Sequence, residues 1–171
     1  MDSRQAQRVQ GPPRRVERPK LRLRIYPDSA LREACEPAGR LDSTLKDLLE
    51  EMLVLMRLHN GIGLSAPQVG VLQRLFVCEL GGHSLRLVNP RIKASSGEVD
   101  MSEGCLSLPG MKADVTRCRR IRVRGYDPRG RKVDLTANDL EARVIQHEID
   151  HLNGILICDR GELVPVDPGE S

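Results

Sequence analysis

Residues 146–151 read Gln-His-Glu-Ile-Asp-His and contain the pattern H-E-x-x-H. On a helix, residues four apart lie one above the other, so His147 and His151 can aim ring nitrogens at one point about 2.0 to 2.1 Å from each, the length of a metal–imidazole bond. Glu148 then projects beside that point, where it can take a proton from a metal-bound water. The blander alternative is an amphipathic helix that happens to expose two histidines and a glutamate, a pattern that chance supplies often enough. Against it, Leu140, Val144 and Ile145 flank the pattern and are expected to bury the helix, and a buried histidine pair needs a partner such as a metal. His59 and His83 stand in no such context.

A catalytic metal needs a third protein ligand and one open position. No histidine follows His151, and Glu162 and Glu170 fall in an acidic, Pro/Gly-rich terminal stretch. A cysteine is the best remaining candidate. Cys105 stands in Glu103-Gly104-Cys105-Leu106-Ser107-Leu108-Pro109, where the glycine permits close backbone approach and the proline ends a strand. The other cysteines, Cys35, Cys78, Cys118 and Cys158, are irregularly spaced, and with Cys105 they make an odd number, so a disulfide framework is not expected. They read as small core residues.

Three segments together resemble the signature motifs of the peptide deformylases, in the family's order: GIGLSAPQVG at 61–70, EGCLSLP at 103–109 and QHEIDHLNG at 146–154. The similarity covers roughly residues 21–159. The resemblance implies a metal-dependent hydrolase acting on a linear amide, one that removes the formyl group from the N-terminal formyl-methionine of nascent polypeptides and releases formate. It implies Cys105, His147 and His151 as ligands of one divalent ion, ferrous iron first, with zinc, nickel or cobalt able to take the site. It further implies that the ion would supply a metal-bound hydroxide toward the formyl carbon, with Glu148 as general acid and base and with the side-chain amide of Gln68 and the backbone N–H of Leu106 as donors to the oxyanion. Gly61, Ile62 and Gly63 are implied to let an extended peptide pair as an added strand, and Ile62, Val144 and the aliphatic part of Arg143 to line the methionine pocket above His147. Glu103 and Gly104 complete the implied substrate-binding set. Glu103 is expected to pair with Arg117, and Asp150 to anchor the helix or remain solvated.

The chain departs from the family pattern in places. Ser65 stands where Ala is usual, a change expected to matter little. Lys112 replaces a Tyr or Arg that meets substrate in many relatives. No counterpart is expected of the long basic C-terminal helix with which some members dock, so ribosome association is expected to be transient.

These residues need elements to carry them. Leu45, Leu48, Leu49, Met52, Leu53 and Met56 recur at three and four, predicting an amphipathic helix from Ser43 to His59 with Asp42 or Ser43 as N-cap and an end at Asn60 and Gly61. Residues 74–80 and 84–88, divided by Gly81 and Gly82, predict a hairpin. Residues 119–126 alternate charged and apolar as a half-buried strand does, followed by a turn at 127–130. The second helix is predicted from Asn138 or Asp139 to Leu152, closed by Asn153 and Gly154. The expected class is α+β: mostly antiparallel strands packed around a central metal-binding helix, with an N-terminal amphipathic helix before them.

With 171 residues, 39% hydrophobic and 30% charged, the chain fits one domain, here 21–160. Residues 1–20 hold Arg4, Arg8, Arg14, Arg15, Arg18 and Lys20 with few apolar groups, predicting a disordered basic arm, and residues 161–171 predict a flexible tail. The net charge of +3 lies mostly in that arm, which has no stacking aromatics, so no direct nucleic-acid binding is expected. No apolar run approaches the ~20 residues of a membrane span. No membrane partner and a cytoplasmic location are expected.

Overall fold

The computed structural model describes residues 20–167. The basic arm expected over 1–20 therefore lies outside the described residues except for Lys20, and so does the end of the tail, 168–171. After a short 3-10 turn at Ser29–Arg32 the chain enters α1, Ser43–Leu58, where the Asp42 carboxylate accepts the Leu45 N–H at 3.2 Å, an N-cap as predicted. The helix stops where Asn60 takes φ +55°, so the left-handed residue is the asparagine rather than Gly61.

Eight strands follow in two antiparallel sheets. The larger sheet has the order β1-β2-β3-β6-β7, with β1 at Gly63–Ser65, β2 at Leu75–Leu80, β3 at His83–Ser96, β6 at Arg120–Tyr126 and β7 at Lys132–Asn138. Gly81 and Gly82, at φ +57° and +80°, form the predicted hairpin turn, which a side chain would strain. Beyond the expected end at 88, β3 runs on to Ser96. Register shifts between Val88 and Arg91 and again between Ile92 and Ala94 bend it from β2 onto β6.

The smaller sheet has the order β4-β5-β8, with β4 at Val99–Gly104, β5 at Met111–Arg117 and β8 at Leu163–Pro165. The last strand corrects the expectation of a flexible tail from 161. Residues 163–165 pair with Ala113, Lys112 and Met111, and half-buried Leu163 packs with Ala113 and Val115, so ladder bonds and apolar burial offset the entropy of ordering.

The second helix, α2 at Asp139–Leu152, lies between the sheets. Ala142, Ile145, Ile149 and Leu152 pack against Phe76, Leu87, Ile121, Val123 and Ala137 of the larger sheet. Its polar side turns Arg143, His147 and Asp150 toward the smaller one. Leu140, expected to help bury the helix, is instead 46% exposed, because α2 has barely begun there and the sheet does not reach it. On the far side of the larger sheet, α1 covers Leu64, Leu75, Val77 and Val88.

Phe76, the sole phenylalanine, has no exposed surface and fills the contact between sheet and α2. Phe76→Ala is expected to cost about 3–5 kcal/mol of stability. Urea titration reads this directly, and an unshifted midpoint would place the packing centre elsewhere.

Candidate metal centre and cleft

The two histidines of α2 project where four-residue spacing predicts, and the end of β4 brings Cys105 to them. Sγ of Cys105 lies 3.4 Å from Nε2 of His151, and the Nε2 atoms of His151 and His147 are 3.1 Å apart. One donor atom from each of the three residues falls within 4.8 Å of the others. Three electron-pair donors at this separation repel unless something positive lies among them, and a thiolate with two imidazoles is a donor set for Fe(II), Zn or Ni. The residues therefore fit a divalent metal.

Cys105 sits one residue past β4, in a turn closed by the Leu108 N–H donating to its carbonyl at 3.0 Å. Nothing crowds the glycine before it. A Cβ at Gly104 would meet only the Met111 carbonyl oxygen at 3.9 Å, so the close approach inferred from the sequence at that position is absent.

The ring of His147 is oriented by Glu103, whose carboxylate lies 3.0 Å from Nδ1. That contact holds the Nδ1 proton and turns Nε2 toward Cys105 and His151, where it can serve as a ligand. Glu103 is itself gripped by Arg117 through two bonds of 2.7 and 2.9 Å, and by Arg143 at 2.5 Å. Arg117 continues to Asp150 at 2.6 Å, and Asp150 to Arg160 at 2.5 and 2.6 Å. The expected Glu103–Arg117 pair thus exists, but with side chains only 6% and 3% exposed it is no surface ion pair. Asp150, left open between anchoring and solvation, is an anchor. With its carboxylate so engaged, Glu103 meets the cleft as an orienter of His147.

Burial works to raise the Glu103 pKa, but hydrogen bonds from Arg117 and His147 override it and hold the carboxyl at about 2. Burial likewise opposes charge on His147, yet the Cys105 and Glu103 partners lift it to about 10. His151 is driven well below the usual imidazole value, first by burial and then by the charge on His147.

Glu148 is buried, and burial raises its pKa against the opposing pull of His147 and Ser65. Its carboxylate hydrogen-bonds the Ser65 hydroxyl, which also reaches the Glu148 carbonyl at 3.0 Å. A Cβ on Gly63 would stand 2.2 Å from its Oε1. Period-two alternation along β1 places 63 and 65 on the side of Glu148 while Leu64 turns to α1. Gly63 is thus demanded by the carboxylate behind it as well as by any peptide in front. Ser65, expected to matter little, touches the proposed acid and base. Spacing by two from Gly63 was the available sign, and only the contact gave it meaning.

The carboxamide of Gln68 is held with Oε1 accepting the Ser65 N–H at 2.8 Å. Its Nε2 lies 3.1 Å from Ser107 Oγ and 3.7 Å from Cys105 Sγ, so a donor faces the metal cluster. The Leu106 N–H makes no hydrogen bond among the described residues. A cleft of about 630 Å³ opens over these groups. It is lined by Gly61, Ile62, Gly63, Gln68, Glu103 and Gly104, and also by Cys105, Leu106, Arg143, Val144, His147 and Glu148. His151 lies behind this wall, 1% exposed. The Arg143 guanidinium points out of the cleft to the carbonyls of Val99 and Val115, at 2.6 and 2.9 Å, leaving its stem at the surface. Met101, Leu140 and His59 are among the residues on the rim, unassigned from the sequence because nothing local distinguishes them from ordinary surface residues.

Comparison with known proteins shows the family and the fold. The sequence profile of the family described as polypeptide deformylase matches residues 20–165. The peptide deformylase of Thermodesulfovibrio yellowstonii is 42% identical over 145 residues, spanning 82% of this chain and 88% of that protein. The Hydrogenovibrio crunogenus enzyme is 46% identical over 143 residues, spanning 82% and 85%. The solved structure of peptide deformylase from Thermotoga maritima superposes with a TM-score of 0.82 at 39% identity, covering 83% of this chain and 97% of that one. The Synechococcus elongatus structure, in complex with actinonin, gives 0.83 at 40% identity, covering 86% and 83%.

Glu103→Ala removes the orienter of His147 and leaves Arg117 and Arg143 buried without their carboxylate. Metal affinity is expected to fall about 10- to 100-fold. Competition with a chelator measures this, and an unchanged dissociation constant would exclude the orienting role.

Proposed function

The chain belongs to the polypeptide deformylase family, metal-dependent hydrolases that remove the N-formyl group from nascent polypeptides, and we propose that Cys105, His147 and His151 hold its metal while Glu148, Gln68 and Leu106 carry the chemistry. The observation that carries this assignment is the meeting of one thiol and two imidazoles, from segments far apart in sequence, at the back of one cleft. When bound, the ion supplies a Lewis acid that acidifies a water and polarises the formyl carbonyl.

Glu148 accepts the proton of the attacking water and hands it to the departing amine, so formate and a free amino terminus are the products. Its buried setting raises the pKa, which favours a group that must both take and give a proton. The Gln68 Nε2 and the Leu106 N–H donate to the formyl oxygen as charge builds there, each such donor being worth ~10² to 10³ in rate. The extended peptide pairs with the main chain at Gly61, Ile62 and Gly63 and lies along Gly104. The methionine side chain rests between Ile62, Val144 and the stem of Arg143, with His147 beneath. Glu103 acts through His147.

Ferrous iron is the resident ion of this reading, with zinc, nickel or cobalt able to substitute, because a thiolate with two imidazoles suits all four. Formyl-methionyl nascent chains are the partners, met during transient association with the ribosome, and no membrane is involved. The cytoplasm is the place of action, supported by five cysteines that are all free. No described helix is long and apolar enough to cross a membrane.

Formate release from a formyl-methionyl peptide tests the reading. Glu148→Ala is expected to lower the rate at least ~10²-fold with one metal per chain retained, whereas Cys105→Ser is expected to lose metal. Near wild-type turnover in the first, or full metal in the second, would remove that residue from its role, and cleavage of unformylated peptides alone would sink the activity.

Proton linkage gives a second check. Because the metal-free cluster keeps a proton on His147 up to about pH 10, metal binding near neutral pH must expel it, and affinity should rise with pH up to that value. Titrating metal into weakly buffered protein is expected to acidify the solution, and no pH change would refute the coupling.

A further inference from the structure

Among the described residues, one face of the larger sheet is left uncovered along β6 and β7. α2 covers one face of this sheet, and α1 covers the opposite face only at the β1-β2-β3 end. Along β6 the burial alternates strictly: Ile121, Val123 and Gly125 turn inward, and Arg120, Arg122, Arg124 and Tyr126 turn out. Beside them β7 presents Lys132, Asp134, Thr136 and Asn138, and β3 adds Arg91 and Lys93. These outward positions of β6 and β7 carry no aliphatic side chain.

Register makes the crowding of charge explicit. Arg91 stands directly opposite Arg124, an arrangement of like charges that destabilises a sheet. The one acid on these outward positions, Asp134, is already taken by Arg122 at 2.8 and 2.9 Å and Arg124 at 2.6 Å. The side chains of Arg91, Lys93 and Lys132 make no hydrogen bond or ion pair among the described residues. An open cleft of about 630 Å³ runs through this region, lined by Arg74, Arg91, Lys93, Arg124 and Lys132 with Asp134. It shares no residue with the catalytic cleft.

We propose that this uncovered basic half of the sheet is a docking surface for the phosphate backbone of structured RNA. Outward side chains on a strand repeat at roughly 6.8 Å, so the rows of β3, β6 and β7 form a flat lattice of cations able to meet several phosphates at once. Arginine predominates, and its planar fork matches phosphate oxygens through paired hydrogen bonds. A single tyrosine offers no row of stacking platforms, which favours a duplex backbone over splayed single-stranded bases. A lipid surface fits less well, because peripheral binding adds inserted apolar side chains to charge. The proposal leans on the deformylase reading only for its setting, since a nascent polypeptide is still held by the RNA-rich particle that makes it. It departs from the expectation of no nucleic-acid binding, which considered the basic residues of the N-terminal arm and not those that folding gathers on this sheet.

The test uses the full-length, metal-loaded protein and a fluorescent RNA duplex of roughly 16 base pairs, the span of a typical double-stranded RNA module. Wild-type binding is expected to weaken about 10²-fold between ~50 and ~200 mM salt, as neutralising several phosphates requires. The triple variant Arg91→Glu, Lys93→Glu, Lys132→Glu is expected to bind at least ~10-fold more weakly and to flatten the salt slope by about 3. Its formate release from a formyl-methionyl peptide is expected to match wild type, which verifies folding and separates failure here from failure of the enzymatic reading. The proposal is overturned if the triple variant binds RNA as wild type does, which would assign binding to another surface. It is also overturned if wild type shows no RNA binding at low salt, or if the three residues govern binding to phosphatidylserine vesicles and not to RNA.

Discussion

The structure depends on a carboxylate that is buried and still charged. Glu103 can remain ionised at 7% exposure only because Arg117, Arg143 and His147 converge on its two oxygens. Taking such ions out of water costs several kcal/mol each, and the cost is met only when every partner is in place. Glu103 lies on β4 and its partners on β5 and α2, so the three elements cannot shift independently. Through Asp150 the chain of charges reaches Arg160, just before β8. The proposed metal ligands are thereby held by electrostatics on their outer side as well as by packing on their inner one.

The same division runs through the shorter elements. α2 gives Ile145, Ile149 and Leu152 to the apolar sheet and its ionisable residues to the smaller sheet, so one helix serves as core and as reactive surface. β1 does this in three residues, with Leu64 in the core under α1 while Gly63 and Ser65 bracket the Glu148 carboxylate. Gln146 adds a quieter link, its side-chain amide pairing with both backbone groups of Cys118 at 3.0 and 2.8 Å and fastening α2 to the connection between β5 and β6.

Arginine plays two opposite parts in this molecule. Arg117 and Arg143 are buried and gripped by carboxylates or backbone carbonyls, where they fix geometry. Arg120, Arg122 and Arg124 stand on the open face of the larger sheet, where only Asp134 answers them within their own ladder. Composition alone cannot separate these populations, because a net charge of +3 averages over both.

What the sequence determined by itself was whatever local periodicity encodes. The 3.6-residue repeat defined α1 with Asp42 or Ser43 as its cap, the Gly-Gly turn defined the β2–β3 hairpin, and the spacing of His147 from His151 put two imidazoles on one side of α2 wherever that helix lies. Three motifs in order added Cys105 as the proposed third ligand. Tertiary structure decided the rest: that Cys105 meets those rings, that Ser65 and Gly63 bracket Glu148, that Arg117 and Arg143 converge on Glu103, that residues 163–165 find a strand to join, and that Arg91 comes to stand opposite Arg124. Each of these is a contact between residues distant along the chain. Its energy comes from burial and charge at a place that exists only once the sheets have closed on α2, so no local pattern carries its trace.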